Sequence, residues 1–194
     1  IQVGLVGSEM CIRDSRVLVD SDPRCVNTLK MNGFTTAIHS RIQDVDWSTY
    51  RGVDLLTAGI PCQPWSSGGK DTGANDSRNL WSEAVRAISA AQPTTFLLEM
   101  VDGFLRQRFK AVLHTVVTQL SDLGYLVTVE KVNAKHAGLS QERRRCFILG
   151  HRTHGVVQSP TRSTPCSLRE LFQDLGSPDG QNRHELLGRA REYE

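Results

Sequence analysis

Short apolar runs alternate with stretches of helical periodicity along most of this chain, and that alternation restricts the fold more than any single motif does. Strands separated by helices cannot pair as tight hairpins. Each helix must cross over and pack on the sheet, which gives βαβ units and a mostly parallel sheet flanked by helices. Val17-Leu18-Val19 reads as a strand. Asp22 then caps a helix with Pro23 at its first position, and Gly33 closes it after Asn32, the expected asymmetry of helix ends. Ala37-Ile38-His39 is a second short strand, with Asp44 in the loop beyond it. Val53, Leu55, Leu56 and Ala58 form a buried parallel strand that ends in Gly59-Ile60. A helix beginning at Asp76 or Ser77 and running to about Ala91 puts Leu80, Ala84, Ala87 and Ile88 on one face, with Pro93 at its exit. Phe96 to Val101 is a strand, and Gln107 to Leu123 a helix with Val112, Val116, Leu120 and Leu123 as its apolar stripe. After Gly124 the chain returns as a strand over Tyr125 to Val132, and the segment from Gln141 to Gly150 runs into another. With 194 residues and 39% hydrophobic content the chain can bury one sizeable core.

Within this frame the run Pro61-Cys62-Gln63-Pro64-Trp65-Ser66-Ser67-Gly68-Gly69-Lys70 sets a thiol on a turn just beyond an apolar strand. In open α/β sheets ligands bind beyond the carboxyl ends of the strands, so Cys62 belongs in the crevice. Pro61 and Pro64 restrict the backbone on either side of it. The plain alternative is a buried structural cysteine, since free Cys is among the most buried residue types.

Three further segments bear on that choice. Phe96-Leu97-Leu98-Glu99-Met100-Val101 brings a carboxylate to the end of a strand, Asp76-Ser77-Arg78-Asn79-Leu80 opens a helix, and Gln141-Glu142-Arg143-Arg144-Arg145-Cys146 sets cations before an apolar run. Taken with the Pro-Cys-Gln loop, from about Val17 to Gly150, their order and spacing resemble the motif series of cytosine-C5 DNA methyltransferases. That resemblance implies a Rossmann-like, S-adenosylmethionine-dependent methyltransferase fold. It also implies methyl transfer to carbon 5 of cytosine in duplex DNA.

The roles it implies are specific. Cys62 would add to carbon 6 of a base flipped out of the duplex, and Glu99 would hold or protonate ring nitrogen 3 and accept from the 4-amino group. Arg145 would contact the base and the loop carrying Cys62, with Arg143 and Arg145 as cationic neighbours for the thiolate. Gln141, Arg143, Ser66 and Lys70 would meet the DNA. At the cofactor, Asp20 would take the ribose hydroxyls and Asp44 the adenine amino group, with Val45, Pro61 and Leu80 lining the pocket. The bland readings are loop capping for Asp20 and Asp44, a capping or surface-paired carboxylate for Glu99, and a solvated basic turn for Arg143 to Arg145. Two departures from the family pattern stand out: Met100 occupies the place usually held by Asn, and Asp20 a place more often held by Glu.

A net charge of +2 neither demands nor excludes nucleic acid. The five cysteines at 11, 25, 62, 146 and 166 include no C-x-x-C pair, which argues against a zinc site or disulfide framework and fits a cytoplasmic, reducing setting. No apolar stretch approaches the length of a membrane span, so no membrane is expected, and without paired ligand spacing no metal is expected either. The resemblance implies double-stranded DNA as partner, a monomer, and a cognate restriction endonuclease in a prokaryotic or phage context. Residues 1–152 read as a catalytic core, and residues 153–194 as a linker with the start of an incomplete target-recognition region. Leu5 to Ser15 replaces the expected Phe-x-Gly-x-Gly turn and resembles translated adapter sequence, an assembly artefact. The readings left open are an RNA cytosine-C5 methyltransferase sharing Cys62 and Glu99, a non-catalytic DNA-binding relative, and a thiol hydrolase, for which no histidine stands in an activating motif.

Overall fold

The computed structural model describes residues 15–61 and 80–152, together with the backbone of Gln2–Val3. By contact the chain divides into two units: residues 1–132 with 144–159, and residues 133–143 with 160–194.

In the first unit, β1 (Gln2–Val3), β2 (Val17–Asp20) and β3 (Ala37–His39) form one sheet in that order. β2 and β3 are parallel, and α1 (Pro23–Met31) makes the crossover between them. Asp22 is the N-cap of α1 and accepts from the Arg24 amide, Pro23 holds the first helical position, and Gly33 beyond the C-cap Asn32 takes φ +89°. That positive φ is the conformation a non-glycine residue resists at a helix end. The two faces of β2 separate cleanly. Leu18 packs with Val26 of α1 and Ala37, whereas Val17 and Val19 join the main core on the other side.

A second sheet has the order β4 (Leu55–Gly59), β5 (Thr95–Val101), β7 (Arg144–His151), β6 (Leu126–Asn133). β4 and β5 are parallel, joined through a crossover containing α2 (Trp81–Ala91), and β1 runs alongside β4. α3 (Lys110–Asp122) precedes β6, and β7 then comes back between β6 and β5, antiparallel to β5. The α/β class and its parallel crossovers follow the hydrophobic periodicity. The antiparallel insertion of β7 does not, because strand pairing over long sequence separations leaves no local pattern. On β5, Phe96, Leu98 and Met100 are buried, and across the ladder they meet Gly150, Ile148 and Cys146. Ala84, Ala87, Ile88 and Ala91 of α2 and Val116 and Leu120 of α3 complete this core.

Two helix boundaries differ from the sequence pattern. α2 begins at Trp81, with Leu80 as a cap residue that makes no side-chain capping bond; residues 76–79 lie outside the described residues. Trp81 itself is buried and stacks on Phe104 at 4.9 Å, so an aromatic anchors the start of the helix. At Gln107–Phe109 the chain forms a 3₁₀ turn before α3 proper starts at Lys110. No helix among the described residues is long and apolar enough to cross a membrane.

Of the second unit, residues 133–143 are described. Asn133 caps a short 3₁₀ turn, Ala134–His136, through its side-chain oxygen, and the Ala134 amide donates to the Arg143 carbonyl at 2.9 Å, closing the loop on itself.

Candidate active site

Residues on one face of a strand alternate, so burial of Phe96, Leu98 and Met100 turns Leu97, Glu99 and Val101 to the opposite face of β5. Glu99 lies opposite Phe147 and Val101 opposite Arg145, which sets Glu99 and Arg145 as diagonal neighbours on that face. Arg145 Nε donates to Glu99 Oε1 at 2.7 Å, and its Nη1 donates to the Arg144 carbonyl at 2.8 Å. The side chains are 36% and 23% exposed for Glu99 and Arg145, so the carboxylate is held in place yet open to solvent.

On its other side Glu99 adjoins β4. Gly59 is its register partner, and the Ile60 amide donates to the Glu99 carbonyl at 2.9 Å. A methyl group added at Gly59 would stand 3.6 Å from Glu99 Oε2, in contact with the oxygen that Arg145 does not hold at 2.7 Å. The chain leaves β4 here through buried Ile60 and exposed Pro61, one residue before Cys62. Cys62, Ser66 and Lys70 lie outside the described residues.

The surroundings of the two described free cysteines disfavour the thiolate. Cys146 is fully buried opposite Met100, and burial, aided by the Asp102 and Glu99 charges, pushes its thiol up to about 11. The charge of Asp20, and then desolvation, raises the Cys25 thiol. Both shifts favour the unreactive neutral form.

At the end of β2, Asp20 Oδ1 accepts from the Asp22 amide at 2.7 Å and the Asp20 carbonyl accepts from the Ser40 amide. This is a loop-capping bond, and it also orients the carboxylate. One backbone bond leaves a carboxylate with acceptor capacity for a ligand's hydroxyls. Beyond β3, Ile42–Asp44 forms a 3₁₀ turn that buries Ile42 and Val45 and leaves Asp44 outward, 63% exposed and 4.0 Å from Arg41. Leu80 packs half-buried against the main core at the start of α2. An outward carboxylate beside a buried valine, and a second carboxylate at a strand end, are acceptors and apolar surface of the kind a nucleoside requires. Arg86 of α2 belongs to none of the sequence motifs, yet it reaches the backbone of the Ile42–Val45 turn. An arginine on a helix carries no sequence signal that it will cap a loop some forty residues away.

Gln141 and Arg143 belong to the second unit, both exposed, with the Arg143 amide donating to the Gln141 carbonyl. Among the described residues no three His, Cys, Asp or Glu side chains gather as a metal site would require.

The sequence pattern of a family described as C-5 cytosine-specific DNA methylase matches residues 5–184. The type II methyltransferase M.NgoMIV of Neisseria gonorrhoeae is 30% identical over 165 residues, covering 82% of this chain and 53% of the relative. The chain thus spans about half, or less, of the length of the curated relatives it matches. Among solved structures, a methyltransferase ascribed to DNA modification and encoded within an E. coli prophage superposes with a TM-score of 0.68 at 22% identity, covering 86% of this chain and 49% of that one. The S. pombe Dnmt2 methyltransferase superposes with a TM-score of 0.55 at 20% identity, over 88% of this chain and 50% of that one.

Proposed function

Because this chain belongs to the C-5 cytosine-specific DNA methylase family, we propose that it carries the catalytic core for methyl transfer to carbon 5 of cytosine in duplex DNA. The observation that carries the reading is the Glu99–Arg145 pair, set beside Gly59 where β4 runs out towards Pro61 and Cys62.

Carbon 5 of cytosine is a poor nucleophile while the ring is aromatic. Addition of the Cys62 thiolate to carbon 6 makes carbon 5 enamine-like, and loss of the carbon 5 proton and of the thiolate after methylation restores the ring. Glu99 is suited to the polar edge of the base. Its carboxylate accepts from the 4-amino group and, when protonated, donates to ring nitrogen 3, offsetting the negative charge that thiolate addition pushes into the ring. Arg145 fixes the carboxylate in one orientation, so little reorganisation is needed when the base arrives. An ordinary thiol is only a few per cent ionised at neutral pH, so Cys62 requires a cationic neighbour, a role assigned to Arg143 and Arg145. The base must leave the stack to meet these groups. Gln141, Arg143, Ser66 and Lys70 are assigned to the DNA.

S-adenosylmethionine, when bound, supplies an electrophilic methyl group. Asp20 would hold its ribose hydroxyls and Asp44 its adenine amino group, with Val45, Pro61 and Leu80 along the apolar sides. The type II naming of relatives such as M.NgoMIV supports pairing with a cognate restriction endonuclease and a cytoplasmic setting.

The deciding experiment is covalent trapping with S-adenosylmethionine and a duplex bearing 5-fluorocytosine, whose carbon 5 fluorine cannot leave as a proton does. A denaturant-resistant adduct that disappears in Cys62→Ala and weakens at least tenfold in Glu99→Gln is the expected result. An adduct on a tRNA probe alone moves the substrate to RNA, and none on either probe defeats the catalytic reading.

A further inference from the structure

Arg86 stands on α2, yet its guanidinium is spent on a different part of the chain. Nη2 donates to the carbonyls of Ile42 at 2.8 Å and Gln43 at 3.3 Å, and Nη1 to the carbonyl of Val45 at 3.4 Å. Nε is held by Glu83 Oε2 at 2.7 Å, one turn earlier on the same helix. These three carbonyls flank Asp44 on both sides. The turn they belong to is a single 3₁₀ turn of three residues, closed by the Asp44 amide on Arg41 and the Val45 amide on Ile42 at 3.1 and 3.4 Å. Such a turn is marginal alone. A planar fork of donors that takes several carbonyls at once fixes the turn in a way a flexible ammonium cannot. Trp47 Nε1, donating to the same Ile42 carbonyl, and the buried side chains of Ile42 and Val45 add to the hold. The backbone is therefore clamped on either side of one outward-facing carboxylate.

We infer that Arg86 is a positioning residue for purine recognition: by clamping the carbonyls around Asp44, it sets that carboxylate at the distance and angle that select a 6-amino purine. The inference rests on the reading of Asp44 and Val45 as the adenine end of the cofactor site. Arg86 touches no ligand in this assignment, so its removal should erode discrimination between purines more than general affinity.

The test uses the full chain and two probes, S-adenosylhomocysteine and its 6-oxo counterpart, S-inosylhomocysteine, titrated calorimetrically. Wild type should prefer the amino form by about tenfold or more, a difference of one good hydrogen bond. Arg86→Lys and Arg86→Gln should bring the preference to within about threefold, chiefly by weakening the amino ligand while binding of the 6-oxo ligand stays within about twofold. Glu83→Gln, which leaves the guanidinium present but loosens its orientation, should give an intermediate preference and serves where an Arg86 variant does not fold. Equal weakening of both ligands, or an unchanged preference in the Arg86 and Glu83 variants, overturns the inference. Variants at Asp44 separate the two levels. If Asp44→Asn abolishes the preference while the Arg86 variants keep it, the adenine reading stands and the role of Arg86 falls; if Asp44→Ala, which leaves no acceptor there, keeps the preference, the adenine reading itself is wrong.

Discussion

Cys146 and Met100 face each other across β5 and β7, both buried, and neither side chain offers the polar group that an Asn at position 100 would bring. An amide at that buried position would need a partner to offset its desolvation, whereas methionine and a neutral thiol pack there without one. The thiol carries a consequence for stability. Its folded-state pKa, pushed up to about 11 by burial, lies above the value near 9 of an exposed thiol. The folded protein therefore keeps a proton that the unfolded chain gives up, so this contribution is complete below about pH 9 and is lost as pH rises towards 11. The difference between about 9 and about 11 corresponds to roughly 2–3 kcal/mol. Denaturant unfolding from pH 8 to 10.5 should show a decline in stability that is steeper in the wild type than in Cys146→Ala. Parallel pH profiles would mean that the thiol ionises as easily folded as unfolded. Residue type alone does not separate Cys62, the proposed nucleophile, from Cys25 and Cys146. Burial does so for Cys146, and the neighbouring Asp20 charge does so for Cys25.

Between elements, Phe96 and Gly150 pair in close contact across β5 and β7. A side-chain carbon at Gly150 would overlap the Phe96 ring, which also packs against the Tyr125 ring in a T-shaped pair with centroids 5.0 Å apart, and the Tyr125 hydroxyl is fixed to the Pro93 carbonyl at 2.7 Å. The ring cannot move away cheaply, so Gly150→Ala should cost about 1–3 kcal/mol through overpacking. Adding Phe96→Leu should recover part of that loss, and a double-mutant cycle from denaturant unfolding measures it. Independent, additive losses would show that β5 and β7 accommodate the methyl elsewhere. The elements themselves were largely legible. Asp22, Pro23 and Gly33 marked both ends of α1, and the apolar stripes of α2 and α3 named residues that are buried or half-buried in the core. What the sequence pattern does not carry is non-local: the return of β7 between β5 and β6, and the grip of Arg86 on a distant loop. Period and capping are written in neighbouring residues, but register between distant strands is written only in how their side chains fit. The Glu99–Arg145 pair shows both sides of this. Each residue was singled out by its motif, and only the antiparallel register shows that they bond to each other.

For the whole molecule, the division of the chain separates the assigned tasks. Asp20, Asp44, Val45, Pro61, Leu80, Glu99 and Arg145 all lie in the first unit, whereas Gln141 and Arg143 lie in the second, which groups residues 133–143 with residues 160–194. The main core of the first unit is assembled from residues between Val17 and Ile148. Removing residues 160–194 should therefore spare S-adenosylhomocysteine binding, within about threefold, while taking away the chain that groups with Gln141 and Arg143. Duplex affinity is then expected to fall about tenfold or more, roughly 1.4 kcal/mol. Net charge cannot account for such a loss. The deleted segment holds five Arg against six Asp and Glu, a net −1, so the shortened chain rises from +2 to +3 and would bind phosphate better on bulk electrostatics alone. Titrating both chains with S-adenosylhomocysteine and with duplex at two salt concentrations separates the possibilities. Loss of both ligands together would mean that the first unit does not stand without the second. Unchanged duplex affinity would mean that Gln141 and Arg143 either do not meet DNA or are held by residues 133–143 alone, where the Ala134–Arg143 bond already closes the loop.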